Sequence, residues 1–420
     1  MNVSPRRRVL FVAENITLAQ LVRLVVLARA LDRTRYEIHF ASSEFPALVF
    51  GDEDWRRWPL YTLEPRRVWK TLEKGRKLYD EKTLERYVTA DLDVMDQVKP
   101  DLVVGDLRWS LAVSAPLRQV PYAALINAYW SPYTTRPGFP MPDHPLVNLF
   151  GETLAAQHFH KALPFVFRHF AKPLNRVRAR HGLPEVGSLQ DVLCFGDAVL
   201  FPDTPALVPT RGSPAHHHYL GPVLWAPAGR LPDGWGEDAA RPPVYVTLGS
   251  SGHTRVLPRV IEALGGLAVD VLLATAGRVD WSGRPLPSNV RMADFVPGDA
   301  ATRRARLVIT NGGSTSGYQA LAAGTPVVGV AHNFDQYLAM DAIERAGAGV
   351  TVRAGRLRAS ALAAAVSRVL HDPRFAGAAR VVAVDFAAHD AGRRFAEIVD
   401  ALISAKQGAA DGQSVTATST

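Results

Sequence analysis

A single cysteine, Cys194, in 420 residues excludes an internal disulfide and a cysteine-based zinc site, and fits a reducing compartment. Long apolar runs are missing as well. The N-terminal MNVSPRRRVLFVAEN begins with arginines as a signal peptide does, but its VLFVA stretch is too short for the apolar core of one. Leu21 to Leu31 is interrupted by Arg23 and Arg29, as in a buried amphipathic helix, and no run approaches the roughly 18 apolar residues of a membrane span. A soluble, cytoplasmic protein is expected. No zinc finger and no basic helix with interleaved aromatics is present, so nucleic acid is not an expected partner. His158, His160 and His169 lack metal-site spacing, and His216 to His218 read as linker residues, so no metal is expected. The net charge of +8 suits a solvated surface or an anionic small substrate, and leaves room for a weak peripheral attraction to anionic membrane.

What is present is a succession of β and α segments too long for one core. Arg8 to Ala13, a helix from Ala19 to Leu31, Tyr36 to Ala41, Pro100 to Asp106 and Val120 to Ala128 open a Rossmann-like half. The ENITLAQ loop of that half has no glycine fingerprint, so it is not built to hold a dinucleotide pyrophosphate. Trp55 to Tyr87 reads as irregular and aromatic, and Tyr129 to His144 as a proline-rich loop that shapes a pocket. We expect an α/β protein of two Rossmann-like domains with a cleft between them. Residues 1–223 form the first, 224–241 the linker and 242–385 the second. A helix at 386–406 would pack back toward the first domain, before a disordered tail at 407–420.

Leu307 to Gln336 is the most informative stretch. It reads as strand, NGGS turn, helix, Gly-Thr-Pro stop, strand, and a loop ending in Asp335 and Gln336. In a right-handed βαβ unit both strand exits lie on one edge of the sheet, where open α/β sheets bind ligands. Gly312 and Gly313 allow close approach of backbone N–H groups, and Ser314, Thr315 and Ser316 open the helix with hydroxyls. That combination suits an anion such as a diphosphate. Either glycine turn alone is also an ordinary βα or αβ turn.

These residues resemble the donor signature of the nucleotide-sugar-dependent glycosyltransferases of GT-B architecture, typified by plant and bacterial natural-product enzymes. The matching positions are Asn311, Gly312, Gly313, Ser314, Gln319, Ala320, Gly324, Pro326, Asp335 and Gln336. The resemblance implies a glycosyltransferase, inverting and metal-independent, that moves a sugar from a UDP- or dTDP-sugar to a largely apolar small-molecule or lipid acceptor. The nucleotide sugar is a co-substrate, and no cofactor is implied. Asn311 to Thr315, with Gly249, Ser250 and Ser251, would take the diphosphate. Phe295, Val296 and Gly298 would meet the base, Gln319 the ribose, and Asp335 and Gln336 the sugar hydroxyls.

Four positions depart from the family pattern. Asn311 replaces a histidine, Gly298 a glutamine and Gln319 a glutamate. Gln20 stands where the family carries the histidine that deprotonates the acceptor, with Asp106 at the position of that histidine's aspartate. An amide is no base near neutral pH. Either Asp106 or Glu14 serves as a carboxylate base, or the acceptor is already a good nucleophile, or the chain is a catalytically impaired paralogue acting as a nucleotide-sugar-binding or accessory protein. A sugar-nucleotide epimerase is a more distant reading.

Overall fold

The structure is a computed structural model that describes residues 5–73, 77–143, 152–249, 254–279, 281 and 283–417. Two wholly parallel sheets organise the chain. The first contains β1 (Arg7–Ala13), β2 (Tyr36–Ser42), β3 (Arg56–Pro59), β4 (Leu102–Asp106), β5 (Tyr122–Leu125), β6 (Ala198–Phe201) and β7 (His217–Tyr219), in the order β3-β2-β1-β4-β5-β6-β7. The second contains β8 (Pro243–Thr247), β9 (Asp270–Ala274), β10 (Val290–Ala293), β11 (Leu307–Thr310), β12 (Val327–Ala331) and β13 (Gly349–Arg353), in the order β10-β9-β8-β11-β12-β13. Each order reverses direction once, between β1 and β4 and between β8 and β11. Crevices open at such reversals, beyond the carboxyl ends of the strands.

Strands buried on both faces need continuous apolar sequence, and the central ones have it. Val9, Phe11 and Ala13 of β1 meet Leu21, Leu24 and Leu27 of the helix Leu18–Arg29 on one face, while Leu10 and Val12 meet Val94, Met95 and Leu111 on the other. In the second half Val244, Val246, Leu307 and Ile309 pack with Val260 and Leu264 of the helix Leu257–Gly265. The last helix, Ala391–Ala417, returns to the first half, where Phe395, Val399 and Ile403 join the β1 core and Arg35 pairs with Asp400 at 2.9 Å. No described helix is long and apolar enough to cross a membrane.

Several local expectations are corrected. Trp55 to Tyr87 is not irregular: it contains β3, the helix Pro65–Glu73 and the start of Glu81–Val98, which Asp80 caps by accepting from Thr83 N–H at 2.7 Å. A helix at Leu111–Arg118, unmarked in the sequence reading, joins β4 to β5. His217 and His218 lie on edge strand β7 rather than in a linker. The helix expected from 386 starts instead at Ala391, after the separate helix Pro373–Ala387, because Asp390 begins it by accepting from Arg393 N–H at 2.9 Å. That second helix continues through Ala417, where a disordered tail was expected from 407.

The segment between the sheets is anchored rather than loose. Trp235 is fully buried, and its indole N–H donates to the Asp270 carbonyl at 3.0 Å. One apolar cluster runs through both halves, from Ile126, Tyr129 and Phe201 to Tyr245, Tyr318 and Leu338.

Candidate functional site

The two reversal points face each other across a cleft of about 1690 Å³. Its second-half wall includes Gly249, Phe295, Val296, Gly298, Asn311, Gly313, Ser314, Thr315, Gln319, Asp335 and Gln336. Thus eleven of the expected donor residues line one space. Gly312 lies just behind that wall at φ +81°, with its N–H donating to the Thr310 hydroxyl at 2.9 Å. Ser250 and Ser251 lie outside the described residues.

The turn is shaped by its own polar groups. Asn311 Oδ1 accepts from Gly313 N–H at 3.1 Å, and Gly313 is the N-cap of the helix Ser314–Ala322, which opens without a side-chain cap. An uncapped N-terminus facing a cleft presents backbone N–H groups and the positive end of the helix dipole. Gln319 donates to the Trp225 carbonyl at 3.0 Å, which leaves its carbonyl oxygen as an acceptor. That oxygen also accounts for Gly298: a Cβ there would stand 2.4 Å from it. Phe295 is 54% exposed and offers a ring face at the rim.

Gln336 has a different role from a plain hydroxyl binder. Its Oε1 accepts from His332 and Asn333 N–H at 2.9 and 3.3 Å, while Asn333 Oδ1 accepts from Gln336 N–H at 3.0 Å; the pair caps the helix Phe334–Arg345. Only the amide NH2 of Gln336 is left for a ligand. Asp335 is already engaged from the opposite wall, since Trp130 Nε1 donates to its Oδ1 at 2.8 Å and the Tyr129 hydroxyl at 3.2 Å. Burial raises its carboxyl above the ordinary value, although Trp130, Arg23 and Tyr129 pull it down.

Gln20, at the family's histidine position, and the two carboxylates expected as alternative bases, Asp106 and Glu14, stand differently from one another. Gln20 lines the cleft, but its Oε1 accepts from Ile16 and Thr17 N–H at 2.8 and 3.1 Å, capping the helix Leu18–Arg29 as Gln336 caps its own. Asp106 is fully buried and gripped by Arg23, with Nε at 2.9 Å and Nη2 at 2.7 Å. Burial pushes its carboxyl up to about 6 against the pull of Arg23. Arg23 also donates to Asn127 Oδ1 at 2.7 Å, and Asn127 to Asp203 at 3.1 Å. Glu14 is not in the cleft wall. It is fully buried and accepts from the Tyr87 hydroxyl at 2.7 Å and Arg108 Nη1 at 3.2 Å, while Arg108 also binds Asp91.

The other wall is apolar and aromatic. Trp109, Trp130, Phe159, Phe167 and Phe170 line it, and Phe334 from the second half inserts among them, with ring centroids 5.6 Å from Trp130 and 5.9 Å from Phe139. The described part of the Tyr129 to His144 loop, Tyr129 to Asp143, thus does more than shape a pocket, because Trp130 and Phe139 also clasp Phe334 of the second half. Sequence reasoning missed Arg23, Asn127, Asp143 and His332. Arg23 looked like an interruption in an apolar helix, and Asp143 and His332 are distant in sequence. Among the described residues no group of three His, Cys, Asp or Glu side chains is placed to hold a metal ion.

With this geometry in view, residues 258–404 match the family described as Erythromycin biosynthesis protein CIII-like, C-terminal domain. A PGL/p-HBAD biosynthesis rhamnosyltransferase of Mycobacterium bovis (strain BCG / Pasteur 1173P2) is 47% identical over 383 residues, covering 91% of this chain and 84% of its own. A protein named as an inactive PGL/p-HBAD biosynthesis glycosyltransferase of the same organism is 42% identical over 270 residues, covering 64% of this chain and 74% of its own. Among solved structures, the glycosyltransferase VinC in complex with dTDP is similar with a TM-score of 0.67 at 20% identity, covering 94% of this chain and 99% of that one.

Proposed function

This chain belongs to the GT-B glycosyltransferase family and is a glycosyltransferase, and on that premise we propose that it transfers a deoxyhexose such as rhamnose from a dTDP-sugar to an apolar, aromatic or lipid-like acceptor. The observation that carries the reading is the pairing of an uncapped helix N-terminus behind a glycine turn with an aromatic wall, across one cleft. The relative's name supports rhamnose, and the solved neighbour's ligand supports dTDP.

In this reading the diphosphate lies against the N–H groups of Ser314 and Thr315, where the helix dipole stabilises the negative charge that grows as the sugar leaves. Phe295 stacks on the base, and the Gln319 carbonyl accepts from the ribose. With Gly298 carrying no side chain, no amide there reads the base edge. Asp335 and the NH2 of Gln336 take sugar hydroxyls, so a bound donor competes with Trp130 and Tyr129 for Asp335. The acceptor oxygen attacks the anomeric carbon from the face opposite the diphosphate, giving inversion, and no metal takes part. A basic surface holds the chain near anionic membrane on the cytoplasmic side, where a lipid-like acceptor is available.

Titration calorimetry with dTDP, UDP and ADP tests the donor site, with dTDP expected to bind tightest. Equal affinities would remove the dTDP assignment, and no binding would remove the donor site. Binding without turnover on any acceptor would instead favour an accessory role, the reading that the amide at position 20 and the inactive relative both motivate.

A further inference from the structure

An acceptor with a lipid-like body resides in a bilayer, so the mouth of its cleft needs a surface that a bilayer can hold. The helix Glu152–Arg180 carries one. Leu163, Phe167, Ala171 and Leu174 are buried and recur at the i, i+4, i+8, i+11 spacing of a single inward face. Lys161, Phe165, Arg168 and Lys172 recur at i, i+4, i+7, i+11 on the opposite face, and all four are exposed. Between the two faces Ala162, Val166 and Phe170 line the cleft. The outward stripe is thus continuous with the aromatic wall.

The chemistry of the stripe is that of a helix lying on a membrane surface. Phe165 is 70% exposed and its neighbour Val166 38%, an adjacent apolar pair at the rim of an apolar cleft. From Thr153 to Arg180 the helix holds no Asp or Glu. Arg176 and Arg180 are paired with Glu81, whereas no carboxylate among the described residues pairs with Lys161, Arg168 or Lys172. Lys77 adds to this field: its charge, together with desolvation and Lys172, holds the His169 imidazole below its ordinary pKa. Arg66 is exposed and lines the same cleft. Cations spaced around an exposed aromatic ring complement an anionic lipid surface, where the ring enters the headgroup boundary and the charges meet phosphates.

Resting on the transfer reading above, we propose that the stripe of Lys161, Phe165, Arg168 and Lys172 docks the protein on an anionic bilayer, with the acceptor side of the cleft turned to the lipid. Phe165 inserts at the headgroup boundary, and the three cations hold the helix along the surface. Ala162, Val166 and Phe170 then lie next to the bilayer. The apolar part of an acceptor passes along them from membrane to cleft without crossing water.

The test is co-sedimentation of the full chain, without donor or acceptor, with phosphatidylcholine vesicles that contain or lack about 30 mol% phosphatidylglycerol. Binding to the anionic vesicles is expected to exceed binding to the neutral ones by at least about tenfold, and to weaken as salt is raised. Lys161→Ala, Arg168→Ala and Lys172→Ala combined should lower it about 100-fold, at about fivefold per cation, and Phe165→Ser about tenfold. A control of equal charge, Arg230→Ala, Arg259→Ala and Arg358→Ala combined, removes exposed arginines from the linker and second half and should lower binding by about threefold or less. Rhamnose transfer to 4-octylphenol in the absence of vesicles should stay within about threefold of wild type in all three variants. Equal wild-type binding to the two vesicles, stripe variants that bind like wild type, or a control that loses as much as the stripe variant would each overturn the proposal. A dimer in solution that Phe165→Ser dissociates overturns it as well, by assigning the stripe to a second copy of the chain. A wild-type chain that binds anionic vesicles through the stripe but transfers to no phenol overturns the transfer reading instead, and leaves the docking face standing.

Discussion

Replacing Gly312 with alanine tests the donor turn where its geometry is most demanding. The residue sits at φ +81°, a left-handed conformation that costs an L-residue roughly 1–2 kcal/mol. A Cβ there would stand 3.1 Å from Met340 Cγ, 3.2 Å from Ala331 Cβ and 3.4 Å from Gln336 Cβ, so the methyl also overpacks the site, at about 1–3 kcal/mol. The sum is about 2–5 kcal/mol. At ~2–4 °C per kcal/mol for a half of this size, the unfolding midpoint of the second half should fall by roughly 4–20 °C. The more telling readout is ligand affinity, because the strain lies between Asn311 and the first N–H groups of the helix Ser314–Ala322. Gly347→Ala is the control: it has a similar φ of +73°, but its nearest neighbour is an ordinary contact, Ala378 Cβ at 3.5 Å, and it does not line the cleft. Calorimetry at a temperature where both variants are folded should show dTDP affinity reduced at least about tenfold in Gly312→Ala and unchanged in Gly347→Ala. Equal affinity in the two would refute placement of the diphosphate at this turn.

Other substitutions probe the remaining assignments. Glu14→Gln should lower the unfolding free energy by about 3 kcal/mol or less, because Asp91 still neutralises Arg108, while folded molecules keep their transfer rate; a rate loss above about tenfold at full folding would restore Glu14 as a base. Gln20→Ala removes the acceptor of two N–H groups and should cost about 1 kcal/mol in thermal unfolding without abolishing transfer, whereas abolished transfer in a folded chain would make Gln20 catalytic. Trp130→Phe deletes a charge-assisted bond and should cost roughly 1.5–3 kcal/mol. It also removes a group that holds the Asp335 carboxyl down, so the acid limb of the transfer profile should move to higher pH; an unmoved limb would show that Asp335 ionisation does not govern transfer.

The parts of the molecule legible in its residues are those set by local pattern. Apolar runs such as Arg8 to Ala13 and Leu307 to Thr310 emerge as central strands, and the glycine turn with its serines emerges as a helix start facing the cleft. Trp55 to Tyr87 was opaque, because its polar, arginine-rich composition masks a short edge strand and two helices that tertiary contacts such as Tyr87 with Glu14 hold in place. Polar pairing across the fold was equally hidden. Register puts Ala13 beside Asp106, yet nothing local to either shows that Asp106 faces Arg23 and that Glu14 turns to Arg108. The glutamines at 20 and 336 illustrate the same limit. Each matches or departs from a family position, while its carbonyl oxygen is committed to a helix cap four residues long in sequence and invisible to motif comparison.

Product mass spectrometry after incubation of the full chain with dTDP-rhamnose and 4-octylphenol tests the central claim most directly. The account predicts that the phenol gains one rhamnosyl residue, with one dTDP released for each transfer and none when the acceptor is omitted. Tight dTDP binding with no glycosylated product across a panel of phenols and long-chain alcohols would contradict it.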